Sequence, residues 1–472
     1  MRHTLARGLA VLLLIAVGVL GRGAVPLAAS AAPLTSLSTV QSASVAAEDA
    51  PTQARTLQEA YDLLMDHYVH PLDSVALGQA AWDELSHEAA GKAAEPGPAP
   101  GLVGDRAADI QALRNALGTY LAQPNSAPDG FVAAHALIRG MVRYVDEGHT
   151  YFLDPQQYTD YQSWSRGDNK YVGIGVSVSA RETEPRIVEV YDDTPAQRAG
   201  LKAGDVLLSI NGQDVAGRAL EEITGLVRGP AGSSVTIVVQ RGDDPDPLTF
   251  SVERAEIHLQ FVQQRLLGDD VGYVLLRGFP EPSVVDAIEQ DVATFQQQGV
   301  RGLVLDLRGN TGGRIDVGTR LLSHFLPPGT SVYEEVDRNG QNHMHFSRDG
   351  VQYDIPLVVL VDGGTASMGE IFAAAVQEHG AATLVGTPTA GSVAAAQVFG
   401  LPDGSGLQVT VFEIRSSDGK PLNRIGVTPD EVVDTGVPNA AGDDPALSRA
   451  VAILHDGQGS TTPGAAAAAV AA

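Results

Sequence analysis

The residues best placed to do chemistry lie in the stretch 355–380, IPLVVLVDGGTASMGEIFAAAVQEHG, with Ser367 near its middle. The apolar run 357–361 is too short and too β-branched for a helix and reads as a buried strand. Gly363 and Gly364 break that strand. From Met368 onward Ile371, Phe372, Ala375 and Val376 recur at helical spacing, with Glu370 in the first turn and Gly380 as a stop. Ser367 therefore falls at a helix N-terminus, where backbone N–H groups are unpaired and the dipole is positive. Such a position suits a serine whose attack on a carbonyl builds an oxyanion beside it. It equally suits a serine that only caps the helix.

The chain that positions this serine has 472 residues, enough for two or three domains with their own cores. Residues 1–31 read as a secretory signal peptide: Arg2 and Arg7 precede an apolar run at 9–20, and Ala29-Ser30-Ala31 is a small-residue cleavage pattern. That run is short for a bilayer span, and an uncleaved anchor is the alternative. The expected location is therefore periplasm, cell envelope or exterior. The absence of cysteine excludes disulfides and a lipoprotein anchor. Loss of Arg2, Arg7 and Arg22 with the leader takes the formal charge from −26 to −29. So acidic a surface argues against nucleic acid or anionic membranes as partners. Lysine is scarce, with only Lys92, Lys170, Lys202 and Lys420.

Residues 32–56, rich in Ala, Ser and Thr, are expected to be a flexible linker. A helical N-terminal domain follows at 57–160. Leu57, Tyr61, Leu64 and Tyr68 share a helix face, Pro71 ends that helix, and further helices are expected near 74–90, 106–121 and 128–145. His67, His70 and His87 lie here without further ligands around them and read as surface residues, so no metal is expected. Between 165 and 256 short strands and Gly turns take over. The segment 257–456 is α/β, with strands at 271–276 and 302–306, helices near 284–298 and 445–455, and alternating elements out to Val433. Residues 457–472 are low-complexity and expected to be disordered.

Within the second segment, Gly173-Ile174-Gly175-Val176, the run 194–205 (TPAQRAGLKAGD) and Ile210-Asn211-Gly212 occur in the order found in PDZ domains of exported proteases. The resemblance covers about ninety residues. It implies strand addition of an extended peptide, with Gly173, Ile174 and Gly175 offering backbone N–H groups to a terminal carboxylate. Leu220, Ile223 and Val227 would line an apolar side-chain pocket. Ile174 and Val227 also suit the domain's own core.

The whole arrangement resembles the C-terminal (tail-specific) processing peptidases from about residue 57 to 455. It rests on the helical domain, the inserted PDZ, residues 306–313 (DLRGNTGG), residues 365–370 (TASMGE) and residues 426–430 (GVTPD). That family implies a multidomain α+β protein whose α/β peptidase core is ClpP/crotonase-like. It implies Ser367 as nucleophile of a serine endopeptidase without cofactor, acting on protein or peptide substrates with free C-termini. The oxyanion N–H groups would come from Gly312 or Gly313 and from Met368. Only glycine lets a backbone approach a reacting carbonyl so closely.

The well-known members pair the serine with a lysine, but the matching stretch here, Thr389-Ala390-Gly391-Ser392-Val393, has Ser392 at the lysine position. A tricorn-like branch of the superfamily uses Ser, His and Glu, its histidine lying in an Asp-Gly-His-Thr motif. Asp146-Glu147-Gly148-His149-Thr150 matches that motif with one insertion. The resemblance thus implies His149 as general base, an imidazole being suited to proton transfer near neutrality because it ordinarily titrates near ~6.5. The branch's glutamate position holds Asn423, so either the amide orients His149 or another carboxylate, such as Glu413, Asp418 or Asp430, does. The rival expectations are a Ser–Lys peptidase with a displaced lysine and an inactive PDZ adaptor that binds tails without cutting.

Overall fold

The computed structural model describes residues 50–457, except 92–93, 125, 127–131, 166–169, 180–184, 192, 217–219, 243–245, 259 and 435–443. The expected signal peptide, most of the expected linker, the expected tail after 457, and Lys92 lie outside the described residues.

Four helices, Ala50–His67, Ser74–Ala89, Arg106–Leu121 and Ala133–Val145, form the N-terminal module. The Asp73 and Asp105 side chains cap the second and third, each accepting a backbone N–H at 2.8 Å. Leu57, Leu64, Leu77, Leu85, Leu113, Leu117 and Leu137 fill the space between them. The first helix begins at Ala50, inside the stretch expected to be linker. Its first turns are anchored: Gln53 is buried and its side chain accepts the Ala134 N–H at 3.2 Å. A helix (Pro155–Ser165) not anticipated from periodicity follows this module.

The PDZ unit leaves and rejoins the body through a two-stranded stem, Lys170–Gly173 antiparallel to Ala255–His258. Its own sheet runs in the order Val176–Ser179, Arg186–Val190, Val206–Ile210, Ser234–Gln240, Leu248–Glu253. Helices Pro195–Ala199 and Leu220–Val227 flank it as expected. The strand Val176–Ser179 is an edge.

The core is built on a six-stranded sheet ordered Val262–Leu267, Val271–Leu276, Gly302–Asp306, Leu357–Val361, Thr383–Gly386, Glu431–Val432. All its pairings are parallel except the first. Both faces are covered. Leu303, Leu305, Leu357 and Val359 pack with the helices Ser283–Gln297, Ile315–Leu322 and Met368–Glu378, while Val304, Val358 and Leu360 face the helix Pro445–His455. Two-sided burial is why these strands read as unbroken apolar runs.

The expected alternation to Val433 gives way to a second, antiparallel sheet made by Gly406–Ser416, Ala394–Gly400, Ser331–Val336, Asn342–Phe346 and Tyr151–Leu153. The last strand comes from the end of the N-terminal module and pairs Tyr151 with Gln408 and Leu153 with Gly406. Leu401, Leu407 and Val409 share the core of the helical module, so the two units are packed as one body along this seam.

Candidate active site

Ser367 closes the turn between the strand Leu357–Val361 and the helix Met368–Glu378, with φ 53° and ψ −120°. A positive φ is unusual for serine and costs about 1–3 kcal/mol unless the surroundings hold it. They do. The Thr365 hydroxyl donates to the Leu307 carbonyl at 2.8 Å, and the Ala366 N–H donates to the Asn310 carbonyl at 2.8 Å. Asp362 accepts the N–H groups of Gly309 and Gly364, each at 2.9 Å. The serine turn and the 306–313 loop are thereby one unit.

That loop presses on the serine. A Cβ added to Gly312, whose φ is +98°, would lie 2.6 Å from the Ser367 Cβ and 2.9 Å from the Met368 nitrogen. The Gly312 N–H itself is spent on the Asn310 side-chain carbonyl at 2.8 Å. Phe279 pairs across to Gly312 and Arg314, which leaves the Gly313 N–H outside that pairing. Met368 is the first residue of its helix, and its N–H has no helical carbonyl to meet. Of the three residues expected to donate to an oxyanion, Gly313 and Met368 have N–H groups without a partner among the described residues, and Gly312 does not. Below the loop, Asp306 accepts from the Tyr273 hydroxyl at 2.8 Å and pairs with Arg308, which also pairs with Asp444 at 2.8 Å.

Glu370 ties the Ser367 turn to the residues that stand where well-known relatives carry a lysine. One carboxylate oxygen accepts from the Thr389 hydroxyl at 2.5 Å and the Gly391 N–H at 2.8 Å. The other accepts from the Ser392 N–H at 2.8 Å and the Ser367 N–H at 3.2 Å. Burial raises the Glu370 carboxyl above its ordinary value against the opposing pull of these donors. The Ser367 N–H also reaches the Ser392 carbonyl at 2.9 Å.

His149 enters from the N-terminal module. Its loop follows the helix Ala133–Val145 and is fastened to the core at three points. Gln408 donates to the His149 carbonyl at 2.8 Å, the Thr410 N–H to the Thr150 hydroxyl at 3.0 Å, and Arg424 to the Asp146 carbonyl at 2.7 Å. The imidazole is nearly buried. Its Nε2 lies 3.4 Å from the Ser392 hydroxyl, and its Nδ1 lies 3.8 Å from a Glu147 carboxylate oxygen without a hydrogen-bond partner. Ser392 thus touches His149 through its side chain and Ser367 through its backbone.

Asn423 does not join them. Its side-chain carbonyl takes the Val393 N–H at 3.4 Å, and among the described residues no hydrogen bond joins it to His149. Glu413 pairs with Arg415 at 3.3 Å, Asp418 with Lys420 at 3.1 Å, and Asp430 accepts from Gln377 and the Leu384 N–H at 2.8 Å each. The carboxylate that faces His149 is Glu147, overlooked in the sequence although it stands in the histidine's own motif.

In the PDZ unit, Gly175 has φ +82° and a Cβ there would lie 2.3 Å from the Thr194 Cβ. Ile174 and Ile223 are buried in the domain core, and Val227 packs against it. Their side chains belong to the interior of the domain; the Leu220 side chain is outside the described residues. Gly173 ends the stem strand. Among the described residues no cluster of three His, Asp or Glu side chains is arranged to hold a metal ion.

Residues 270–433 match peptidase family S41, and residues 186–241 match the PDZ domain. The carboxyl-terminal-processing protease of Synechocystis sp. is 33% identical over 304 residues, 64% of this chain and 71% of that protein. The protein of the same name from Picosynechococcus sp. is 34% identical over 303 residues, 64% of this chain and 73% of that protein. The chain belongs to peptidase family S41. Within that family it is a serine protease of the carboxyl-terminal-processing group, with a PDZ domain set into its chain. The fold agrees: the solved photosystem II D1 C-terminal processing protease superposes with a TM-score of 0.58 at 24% identity, covering 86% of this chain and 98% of that one.

Proposed function

We propose that this S41 protease cleaves peptide bonds through an acyl-enzyme on Ser367, with His149 as general base and the N–H groups of Met368 and Gly313 as the oxyanion donors. The observation that carries this is the junction at Ser392, which brings a nearly buried imidazole and a serine at a strained helix N-terminus to one residue. The Ser367 hydroxyl attacks the scissile carbonyl and gives its proton to His149 Nε2. The carbonyl oxygen gains the negative charge between the two N–H groups, His149 returns the proton to the leaving amine, and water repeats the sequence on the ester. His149 Nε2 meets the Ser392 hydroxyl at 3.4 Å, and its hydrogen bond to the Ser367 hydroxyl is expected to form as substrate fills the site.

The PDZ unit captures an unstructured protein C-terminus by adding it as a strand along the free edge Val176–Ser179, and presents it to the core. The leader at 1–31 supports export to periplasm, envelope or exterior. Among the described residues no helix is long and apolar enough to cross a membrane. The test is labelling of the exported protein by a fluorophosphonate probe. Ser367→Ala should abolish labelling, and His149→Ala should slow it by at least about 10²-fold, the size expected for losing a general base. Full labelling of Ser367→Ala would refute the assignment, and absence of labelling in the wild type would favour the inactive adaptor.

A further inference from the structure

A histidine base works best when its second nitrogen is held by a carboxylate, which fixes the tautomer and offsets the charge of the imidazolium. The position that supplies this group in the Ser/His/Glu branch holds Asn423 here, and that side chain is turned toward Val393. Meanwhile His149 Nδ1 is buried with no hydrogen-bond partner, a condition that costs about 1–3 kcal/mol if it persists. One acceptor faces it. The Glu147 side chain is 7% exposed, and its Oε2 stands 3.8 Å from Nδ1. Its other oxygen is fixed by the Thr410 hydroxyl at 2.6 Å, so Oε2 is the one that faces the ring.

We infer that Glu147 is the positioning residue of this active site, the carboxylate that orients His149 through Nδ1 and compensates its charge during proton transfer. The inference rests on the assignment of His149 as base. Glu147 and His149 are two residues apart across Gly148, whose φ of +81° turns the loop sharply between them. A shift of about 1 Å brings Oε2 into hydrogen-bond range of Nδ1, within the tightening expected when substrate fills the site. When Ser367 gives up its proton to Nε2, the Nδ1–H stays on the ring and the Glu147 carboxylate stays ionised. No proton passes to it.

The surroundings keep Glu147 in that state. Burial alone would raise its carboxyl, but the facing His149 and the Thr410 and Thr150 hydroxyls outweigh burial and hold it below the ordinary carboxylate range. Tyr68 lies within electrostatic reach of Glu147 and of Arg424, and Arg424 donates to the carbonyl of the neighbouring Asp146. Burial, and then Glu147 itself, push the Tyr68 phenol up to about 12, so it stays neutral.

The full chain with Glu147→Gln, Glu147→Asp and His149→Ala tests this, read by peptide turnover and by the imidazole N–H resonances of the ¹⁵N-histidine-labelled protein. Glu147→Gln should lower kcat by about 10²–10⁴-fold with KM within about threefold, in keeping with carboxylate-to-amide changes in serine triads. It should also abolish a downfield N–H resonance that His149→Ala likewise removes. Glu147→Asp should recover at least about tenfold over the amide, because it restores the charge. If His149→Ala is inactive while Glu147→Gln keeps kcat within about threefold, the inference falls and the base assignment stands. If His149→Ala is fully active, the base assignment itself falls and takes the inference with it. Should Glu147→Gln fail to fold, the wild-type protein decides: an Nδ1–H held by a carboxylate gives a downfield resonance that His149→Ala removes, and its absence with an acylating inhibitor in the site would overturn the role.

Discussion

Gly312 and Ser367 lie so close that a single methyl group does not fit between them: a Cβ on Gly312 would stand 2.6 Å from the serine Cβ. The contact is backbone against nucleophile, and Gly312 holds it at a φ of +98° that other residues rarely adopt. Gly312→Ala should therefore displace the serine turn, lowering turnover by about 10²-fold or more, since misplacement near 1 Å is costly in catalysis. Urea unfolding should report a loss of about 1–3 kcal/mol from the strained backbone. Wild-type turnover in this variant would mean the close approach has no part in the reaction.

The four hydrogen bonds to Glu370 make the same kind of claim about the opposite wall of the site. Glu370→Gln places an amide NH₂ among groups that all donate, so at least one of them loses its acceptor. A destabilisation of about 1–3 kcal/mol is expected, with a drop in kcat because the Ser392 junction moves with the loop. Thermal melting and steady-state kinetics on one preparation measure both, and a stable variant with normal kcat would show that the four bonds are dispensable.

Lysine is not expected to take part. Lys420 sits between Asp418 at 3.1 Å and Glu378 at 3.3 Å, which raise its ammonium above the ordinary value, the wrong direction for a base near neutral pH. Lys170 and Lys202 belong to the stem and turns of the PDZ unit. Replacing each of these three by Ala should leave peptide turnover within about twofold. A loss of activity in any one of them would revive the Ser–Lys alternative.

The seam between the helical module and the core carries a buried His135–Asp403 pair at 2.7 Å. Burial by itself would raise the Asp403 carboxyl, but His135 and Ser405 outweigh it and hold it below the ordinary carboxylate range. A carboxylate depressed in the folded state gives stability that is present above its unfolded value near ~3.9 and is lost as pH falls through its folded value. Asp403→Ala should thus cost about 1.5–3 kcal/mol at neutral pH, with the deficit shrinking below pH ~4. A deficit that stays constant into acid would assign the loss to packing alone.

Substrate choice is testable on the full-length Ser367→Ala protein with fluorescent peptides that differ only at the last residue. Apolar-ended peptides should bind at least about tenfold tighter than Asp-ended ones, as desolvating an unpaired charge costs ~1–3 kcal/mol or more. Amidation of the terminus should weaken binding as well. Because Ile174 and Ile223 are core residues, selectivity has to come from the rim near Val227 and the edge strand. Equal affinity for all endings would leave the PDZ unit as a spacer.

Much of this protein was legible in its sequence because the signals were local. The apolar runs 302–306 and 357–361 announced two-sided burial, and the helices at 106–121 and 445–455 were bounded by their own caps. Ser367 and His149 were singled out through motifs. What escaped depends on distant chain. The strand Tyr151–Leu153 is three residues long and exists only because Gly406–Ser416 lies beside it. Glu147 looked like an insertion in a motif, and its meaning comes from Thr410 and the imidazole folding over it. Asn423 was placed by counting from Gly426, yet the left-handed Arg424 between them turns that stretch so that the amide faces Val393.

The pairing of Tyr151–Leu153 with Gly406–Ser416 also sets an order of events during synthesis. A chain delivered N-terminus first presents His149 early, on a loop whose anchoring partners, Gln408, Thr410 and Arg424, have yet to appear. When Ser367 follows, those partners are still behind it. The proposed nucleophile and base can therefore be anchored together only once Gln408, Thr410 and Arg424 have been made, and a copy truncated before them carries both residues without these anchors. For a protease that must share its birthplace with other unfolded chains, silence until the last core strands arrive is a form of self-restraint written into strand order.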